Sequence, residues 1–189
     1  MLWDINVNLF NFINHTLQNS FFDSFMPIMT HFGGFKFLFA FLLVIIIYSY
    51  IKNYQTINRI AVLALISLLL TDLVVVLLKF SVCETRPFVA LDNVHLLISE
   101  DDPFSFPSGH TASTFSVVII AVLNMKELLK KHYKIVNVIL ILFSVLIPFS
   151  RVYVGVHYPF DVLAGFIIAS TFAFLINKYK DKIFGFMKI

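Results

Sequence analysis

The sequence predicts an all-α fold: a polytopic membrane bundle of five core transmembrane helices, with amphipathic interfacial helices at its N-terminus. Three observations predict it. Of the 189 residues, 59% are hydrophobic and 13% charged, against about 45–50% apolar and about 25% charged in a soluble domain. The apolar residues gather into five stretches near the ~20 residues that cross a bilayer core. The basic residues cluster between those stretches on one side. Disorder is excluded, because it needs low hydrophobicity and high charge. A disulfide scaffold is excluded too, because Cys83 is the only cysteine.

Residues 1–34 come first and differ from the rest. They interleave Phe, Leu and Ile with Asp4, Asn6, Asn8, Asn11, Asn14, His15, Gln18, Asn19 and Asp23. That mixture reads as amphipathic helices lying at the membrane interface, with a sixth span as the alternative. Gly33-Gly34 marks a break, so residues 1–34 form the interfacial segment and 35–189 the transmembrane domain. The five spans fall at about 35–51, 60–79, 108–124, 135–149 and 160–176.

Orientation follows from Lys and Arg. Lys52, Arg59, Lys126, Lys130, Lys131, Lys134, Lys178, Lys180, Lys182 and Lys188 make ten of the 14 basic residues, and five spans put all of them on one side. The positive-inside rule makes that side cytoplasmic, with the C-terminus. These lysines set topology, so the net charge of +3 gives no reason to expect a nucleic-acid partner. Lys36 can snorkel from the end of the first span. Lys79, Arg86 and Arg151 lie near the outer ends of spans two and four, against the rule. A bound anion is the natural explanation.

Three segments face that outer side. One runs from Lys79 to Arg86-Pro87, the second is Pro107-Ser108-Gly109-His110, and the third runs from Ser150-Arg151 through His157 to Asp161. Arg offers a planar fork that matches phosphate oxygens, and Lys a point charge. Ser108 and Gly109 stand where a helix begins, and free N–H groups there favour an anion. His110 and His157 supply a general acid and a nucleophile. Asp161, four residues after His157, can accept from one ring N–H and leave the other nitrogen free.

This arrangement (Lys79-x6-Arg86-Pro87, Pro107-Ser108-Gly109-His110, Ser150-Arg151-x5-His157-x3-Asp161) resembles the type 2 phosphatidic acid phosphatase superfamily, which also includes vanadium haloperoxidases and glucose-6-phosphatase. The motifs cover residues 79–161 in order. The resemblance implies that His157 attacks phosphorus to form a phosphohistidine, that Asp161 orients it, and that His110 protonates the leaving oxygen and then activates water. It implies that Lys79, Arg86, Ser108, Gly109 and Arg151 hold the phosphate, with no metal and no cofactor. His157 must start neutral and His110 protonated, which predicts a bell-shaped pH profile.

The partners expected are membrane lipids and a lipid phosphate entering sideways from the bilayer at the extracytoplasmic face. Residues 104–113, FSFPSGHTAS, look most like the undecaprenyl pyrophosphate phosphatases of prokaryotes. Phosphatidic acid or phosphatidylglycerophosphate is the second choice. A phosphotransferase, an anion carrier and a haloperoxidase rank lower, the last because it would be soluble.

Other residues have plainer readings. His15, His31, His95 and His132 are expected to be ordinary polar groups. Asp72, seven residues before Lys79, reads as support within the span. Glu100, Asp101 and Asp102 read as a solvated loop face, with a gate or divalent-ion contact as the alternative. Tyr48, Tyr50, Tyr153 and Tyr158 fit an interfacial aromatic belt, and Cys83 is a small packing residue.

Overall fold

A computed structural model describes residues 1–187, so Lys188 lies outside the described residues. The chain forms α1 (Leu2–Asn11), a π-helical turn (Phe12–Thr16), α2 (Ser20–His31), α3 (Phe35–Ile51), α4 (Gln55–Val82), α5 (Pro87–Ala90), α6 (Gly109–Leu129), α7 (Tyr133–Tyr153), α8 (Pro159–Lys178) and α9 (Lys180–Met187). Helices α4, α6, α7 and α8 are each long and apolar enough to cross a membrane. Helix α3 joins α2 in a pair bent by 55°, which brings the total to as many as five.

The helices overrun the apolar windows. Helix α4 has 28 residues and α7 continues to Tyr153. Backbone hydrogen bonding does not stop where hydropathy does, and Gln, Lys and Glu are good helix formers. The extra turn of α7 fixes Arg151 on a helix rather than in a loop.

The breaks have local causes. Helix α4 ends at Cys83, whose left-handed φ of +53° turns its N–H back to the Lys79 carbonyl. Pro87 and Pro159 occupy first-turn positions of α5 and α8, where a missing N–H costs nothing. Gly155, at φ +87°, makes the turn after α7; a Cβ there would sit 2.9 Å from the His95 carbonyl.

Helix α6 lies at the centre, against α4, α7 and α8, while α3 packs on α4 and α2 on α7. Small residues let these helices approach closely, as is usual in membrane bundles. Ala61, Ala64, Ala112, Ala169 and Ala173 are buried, and a Cβ on Gly165 of α8 would stand 2.6 Å from the Ser108 carbonyl. One apolar cluster, around Leu42, Leu63, Leu68 and Ile120, fills the bundle. Two smaller ones, around Met26, Tyr153 and Val156 and around Phe10, Val152 and Tyr158, sit beneath the N-terminal helices.

The polar residues that interrupt the N-terminal segment anchor it. Asn6 accepts from the Phe160 N–H at 3.0 Å. Asn14 donates to the carbonyls of Tyr153 and His95, at 2.8 and 2.9 Å, and accepts from the His95 N–H at 2.9 Å. Each amide is buried and partnered, as burial requires. Tyr153 and Tyr158 depart from the expected aromatic belt. Both are fully buried, Tyr153 donating to Asp23 at 2.7 Å and Tyr158 packing against Trp3 and Phe10. Tyr48 and Tyr50 are exposed, as a belt requires.

Candidate active site

The short connection between α7 and α8 carries His157, and the first turn of α8 carries Asp161. This i, i+4 pair brings the ring Nδ1 to 3.2 Å from Asp161 Oδ2. The same oxygen accepts from the Tyr158 N–H at 2.8 Å and from the Ser105 hydroxyl. Ser105 Oγ also lies 3.5 Å from His157 Nδ1. On the other side of the ring, Nε2 faces Arg86 Nη1 at 3.3 Å.

These partners decide the tautomer. A guanidinium only donates, so Nε2 must present its lone pair to Arg86. The carboxylate accepts, so Nδ1 carries the proton. Burial disfavours the imidazolium, and the nearby charges of Arg151 and Arg86 disfavour it further, so the His157 pKa lies well below its ordinary value. The ring is therefore neutral and oriented, with its Nδ1–H toward Asp161 and its Nε2 lone pair toward Arg86.

Three cations surround it. Lys79, on the last turns of α4, donates to the Phe104 carbonyl at 2.6 Å and pairs with Asp102 at 2.8 Å. Arg86 donates through Nε to the Asp102 carbonyl at 2.6 Å and through Nη1 to the Val156 carbonyl at 2.9 Å. Arg151, in the last turn of α7, donates to Thr30 at 2.9 Å and pairs with Glu100. Its Nε is buried and has no acceptor among the described residues. A buried, unpaired donor of this kind is costly unless something accepts from it.

Two cavities meet here. One, of about 170 Å³, is lined by Asp72, Lys79, Arg86, Gly109, His110, Arg151 and His157, with Glu100 and Asp102. The other, of about 330 Å³, is lined by Thr30, His31, Glu100, His110 and Arg151. His110, in the first turn of α6, borders both.

Every residue expected at the site lies at this end of the bundle, but Ser108 has a different place from its neighbours. Its hydroxyl caps α6, accepting from the Thr111 hydroxyl at 3.0 Å and facing the Thr111 N–H at 3.5 Å. Its own N–H bonds the Asp161 carbonyl at 3.0 Å, which ties the start of α6 to the start of α8. Gly109 and His110 line the cavity; their N–H groups, at a helix start, have no intrahelical acceptor.

Of the acidic run, Asp101 is exposed as expected, but Glu100 and Asp102 are not a solvated face. Glu100 and Asp102 pair with all three cations, Arg86 Nη2 lying 3.5 Å from Asp102 and 4.0 Å from Glu100. Charge complementarity to Lys79, Arg86 and Arg151 was the available signal. Ser105 was missed as well, and its spacing carries no signal, because its role depends on the loop 91–108 folding back over His157.

The PAP2 superfamily model matches residues 60–184, which include Lys79, Arg86, Ser108, Gly109, His110, Arg151, His157 and Asp161. An undecaprenyl-diphosphatase, BcrC of Bacillus subtilis, is 34% identical over 106 residues, 56% of this chain and 50% of that protein. Phosphatidylglycerophosphatase B of the same organism is 42% identical over 86 residues, 44% of this chain and 42% of that protein. These alignments span about half the length of the curated relatives. The crystal structure of a transmembrane PAP2-type phosphatidylglycerolphosphate phosphatase from Bacillus subtilis superposes with a TM-score of 0.82 at 28% identity, covering 96% of this chain and 87% of that one.

Proposed function

This chain belongs to the PAP2 superfamily, and on that premise we propose that it is an integral membrane lipid phosphatase acting through a phosphohistidine on His157. The observation that carries the reading is the buried imidazole itself. Its Nδ1–H is held by Asp161, and its Nε2, facing Arg86, lies on the side of a cavity that three cations line.

The chemistry follows from those positions. Terminal phosphate oxygens take N–H donors from Lys79, Arg86 and Arg151, and the free amides at the start of α6 add to the cradle. His157 Nε2 attacks phosphorus. The P–N bond forms as the bond to the leaving oxygen breaks, and His110 gives that oxygen its proton. Asp161 stabilises the positive ring. Water then attacks phosphorus, His110 takes its proton, the P–N bond breaks, and orthophosphate leaves. The three cations supply the charge stabilisation that a metal ion gives elsewhere.

We assign an isoprenyl pyrophosphate as substrate, converted to the monophosphate, a reading supported by the similarity to the two-phosphate enzyme BcrC. Phosphatidylglycerophosphate is the second reading, favoured by the TM-score of 0.82 to a phosphatase named for it. The site faces away from the cytoplasm and the C-terminus toward it, by the lysine distribution. Residues 1–34 lie along the outer interface, where the exposed apolar side chains of Leu2, Trp3, Leu9 and Phe21 meet lipid.

Detergent-purified protein with EDTA present tests this. Phosphate release is followed from isoprenyl pyrophosphate, phosphatidic acid, phosphatidylglycerophosphate and glucose 6-phosphate, with a His157→Ala variant alongside. Release from one lipid that vanishes in the variant is expected. Release that persists in the variant overturns the role of His157. Phosphorylated acceptor in place of free phosphate makes the protein a transferase.

A further inference from the structure

Three cations and two carboxylates share the mouth of this site, and each cation pairs with at least one of the carboxylates. Asp102 Oδ2 lies 2.8 Å from Lys79 Nζ and 3.5 Å from Arg86 Nη2. Glu100 pairs with Arg151 and lies 4.0 Å from Arg86. Any anion entering the cradle competes with these carboxylates for the same N–H groups. That competition resting on the phosphatase reading, we propose that Glu100 and Asp102 set the charge selectivity of the site: a terminal phosphate displaces them, and a phosphodiester does not.

The reasoning is electrostatic. A phosphomonoester carries about 1.5 to 2 negative charges at neutral pH and three acceptor oxygens, and a terminal pyrophosphate carries more. A phosphodiester has one charge and two free oxygens. The lipid around this bundle is mostly phosphodiester, present in great excess over any terminal-phosphate substrate. Three unpaired cations opening toward that lipid would fill with phosphodiester headgroups. Two resident carboxylates raise the charge an incoming group must bring, which is discrimination by competition as much as by fit.

The two acids are placed for exchange. Both belong to the irregular segment between α5 and α6. The Asp102 side chain is 39% exposed and that of Glu100 18%, while those of Arg86 and Arg151 are 2% and 1%. A displaced carboxylate can move into water at the rim; the cations stay buried. Asp102 is held ready by the Phe104 N–H on its Oδ1, at 3.0 Å. Burial opposes its charge, yet the hydrogen bonds from Lys79 and Phe104 and the charges of Lys79 and Arg86 outweigh that, keeping its pKa below the usual range. It is therefore ionised throughout the neutral range. Glu100 and Arg151 border both cavities, so separating this pair also joins the two spaces.

The test uses the full chain in mixed micelles. Phosphate release from isoprenyl pyrophosphate is measured as the mole fraction of phosphatidylglycerol, a singly charged phosphodiester, is raised. Binding of inorganic phosphate is followed separately by thermal shift. Wild-type protein should be inhibited only at the highest mole fractions of phosphatidylglycerol. Glu100→Gln, Asp102→Asn and the double variant should become inhibited at about tenfold lower mole fraction, while still binding inorganic phosphate. Equal sensitivity in wild type and variants overturns the proposal. So does loss of inorganic phosphate binding in folded variants, which would make the acids mere props for the cations. If the variants do not fold, strong inhibition of the wild type at low mole fractions of phosphatidylglycerol is still sufficient to reject it. Wild type that neither binds nor releases phosphate rejects the phosphatase reading itself, and the selectivity with it.

Discussion

Polar groups stand at both ends of the bundle, and on the proposed orientation the inner end, at Lys180, and the outer end, at His157, treat charge in opposite ways. At the inner end, Arg59 lies 5.2 Å from the Phe184 ring, and Lys180 pairs with Glu127 at 2.6 Å and with Asn124 at 2.8 Å. Glu127 is 56% exposed there, and water shares the work. At the outer end, Lys79, Arg86, Arg151, His157 and Asp161 are all buried. Burying ions costs more than their pairing usually returns. Among the described residues the buried ions gather at the end that holds His157, where the proposed chemistry needs them.

The largest contrast should come from the nucleophile. His157→Ala removes the imidazole that lines the cavity with an orienting acid behind its Nδ1. Turnover should fall on the order of 10⁴-fold, as it does when a member of a comparable catalytic set is deleted. Asp161→Asn comes next. The amide keeps the shape, but it can offer Nδ1 a donor and turn the ring the wrong way, so a loss of about 10³- to 10⁴-fold in kcat is expected. Steady-state kinetics in micelles reads both, and a change in KM alone would contradict the assignment.

Ser105→Ala is smaller and more diagnostic. Its hydroxyl shares Asp161 Oδ2 with His157 Nδ1, so its loss leaves the carboxylate to the imidazole alone. About a tenfold fall in kcat is expected. The pH profile supplies the second readout. Activity needs neutral His157, whose pKa is lowered, so the wild-type acid limb should lie below the ordinary histidine value and fall as pH drops through it. The alkaline limb should follow loss of the proton that His110 holds while a phosphate anion lies beside it, since an opposite charge nearby favours the imidazolium. In Ser105→Ala the undiluted carboxylate favours the imidazolium, and the acid limb should move to higher pH. Ser105→Thr should restore it. A flat profile from pH 5 to 9, a window of about two units either side of neutrality, would break the pairing of the two histidines.

Much of this was legible in the chain. Five apolar stretches predicted the helical bundle, and three motifs named eight residues that the fold gathers at one end. What was not legible depended on loops. The spacing of Ser105 to Asp161 says nothing about contact, because 56 residues and two spans separate them. Glu100 and Asp102 looked solvated because a run of acids usually is. Only the fold, by laying residues 91–108 across the ends of α4 and α7, shows that they are counter-ions. Tyr153 and Tyr158 misled for the same reason: an interfacial position in sequence became a buried one once α1 and α2 covered it.

The inner end provides the smallest effect and the control for the comparison. Lys180→Ala removes the contacts to Glu127 and Asn124. Glu127 sits at a wet surface, where an ion pair contributes less than about 1 kcal/mol and salt screens it, and buried Asn124 keeps the Ile120 carbonyl and Asn177 as partners. Turnover should stay within about twofold of wild type, and the melting temperature should move by only a few degrees. Glu127→Gln should do the same, and the double variant should add little, since each single change already removes the pair. A large loss of turnover from either would mean that the two ends are coupled through α6 and that the inner charges bias the outer site. A collapse in stability would mean that the inner pairing, though exposed, holds α9 and the bundle together. Near-wild-type behaviour in all three leaves the cost of buried charge confined to the end where phosphorus is attacked.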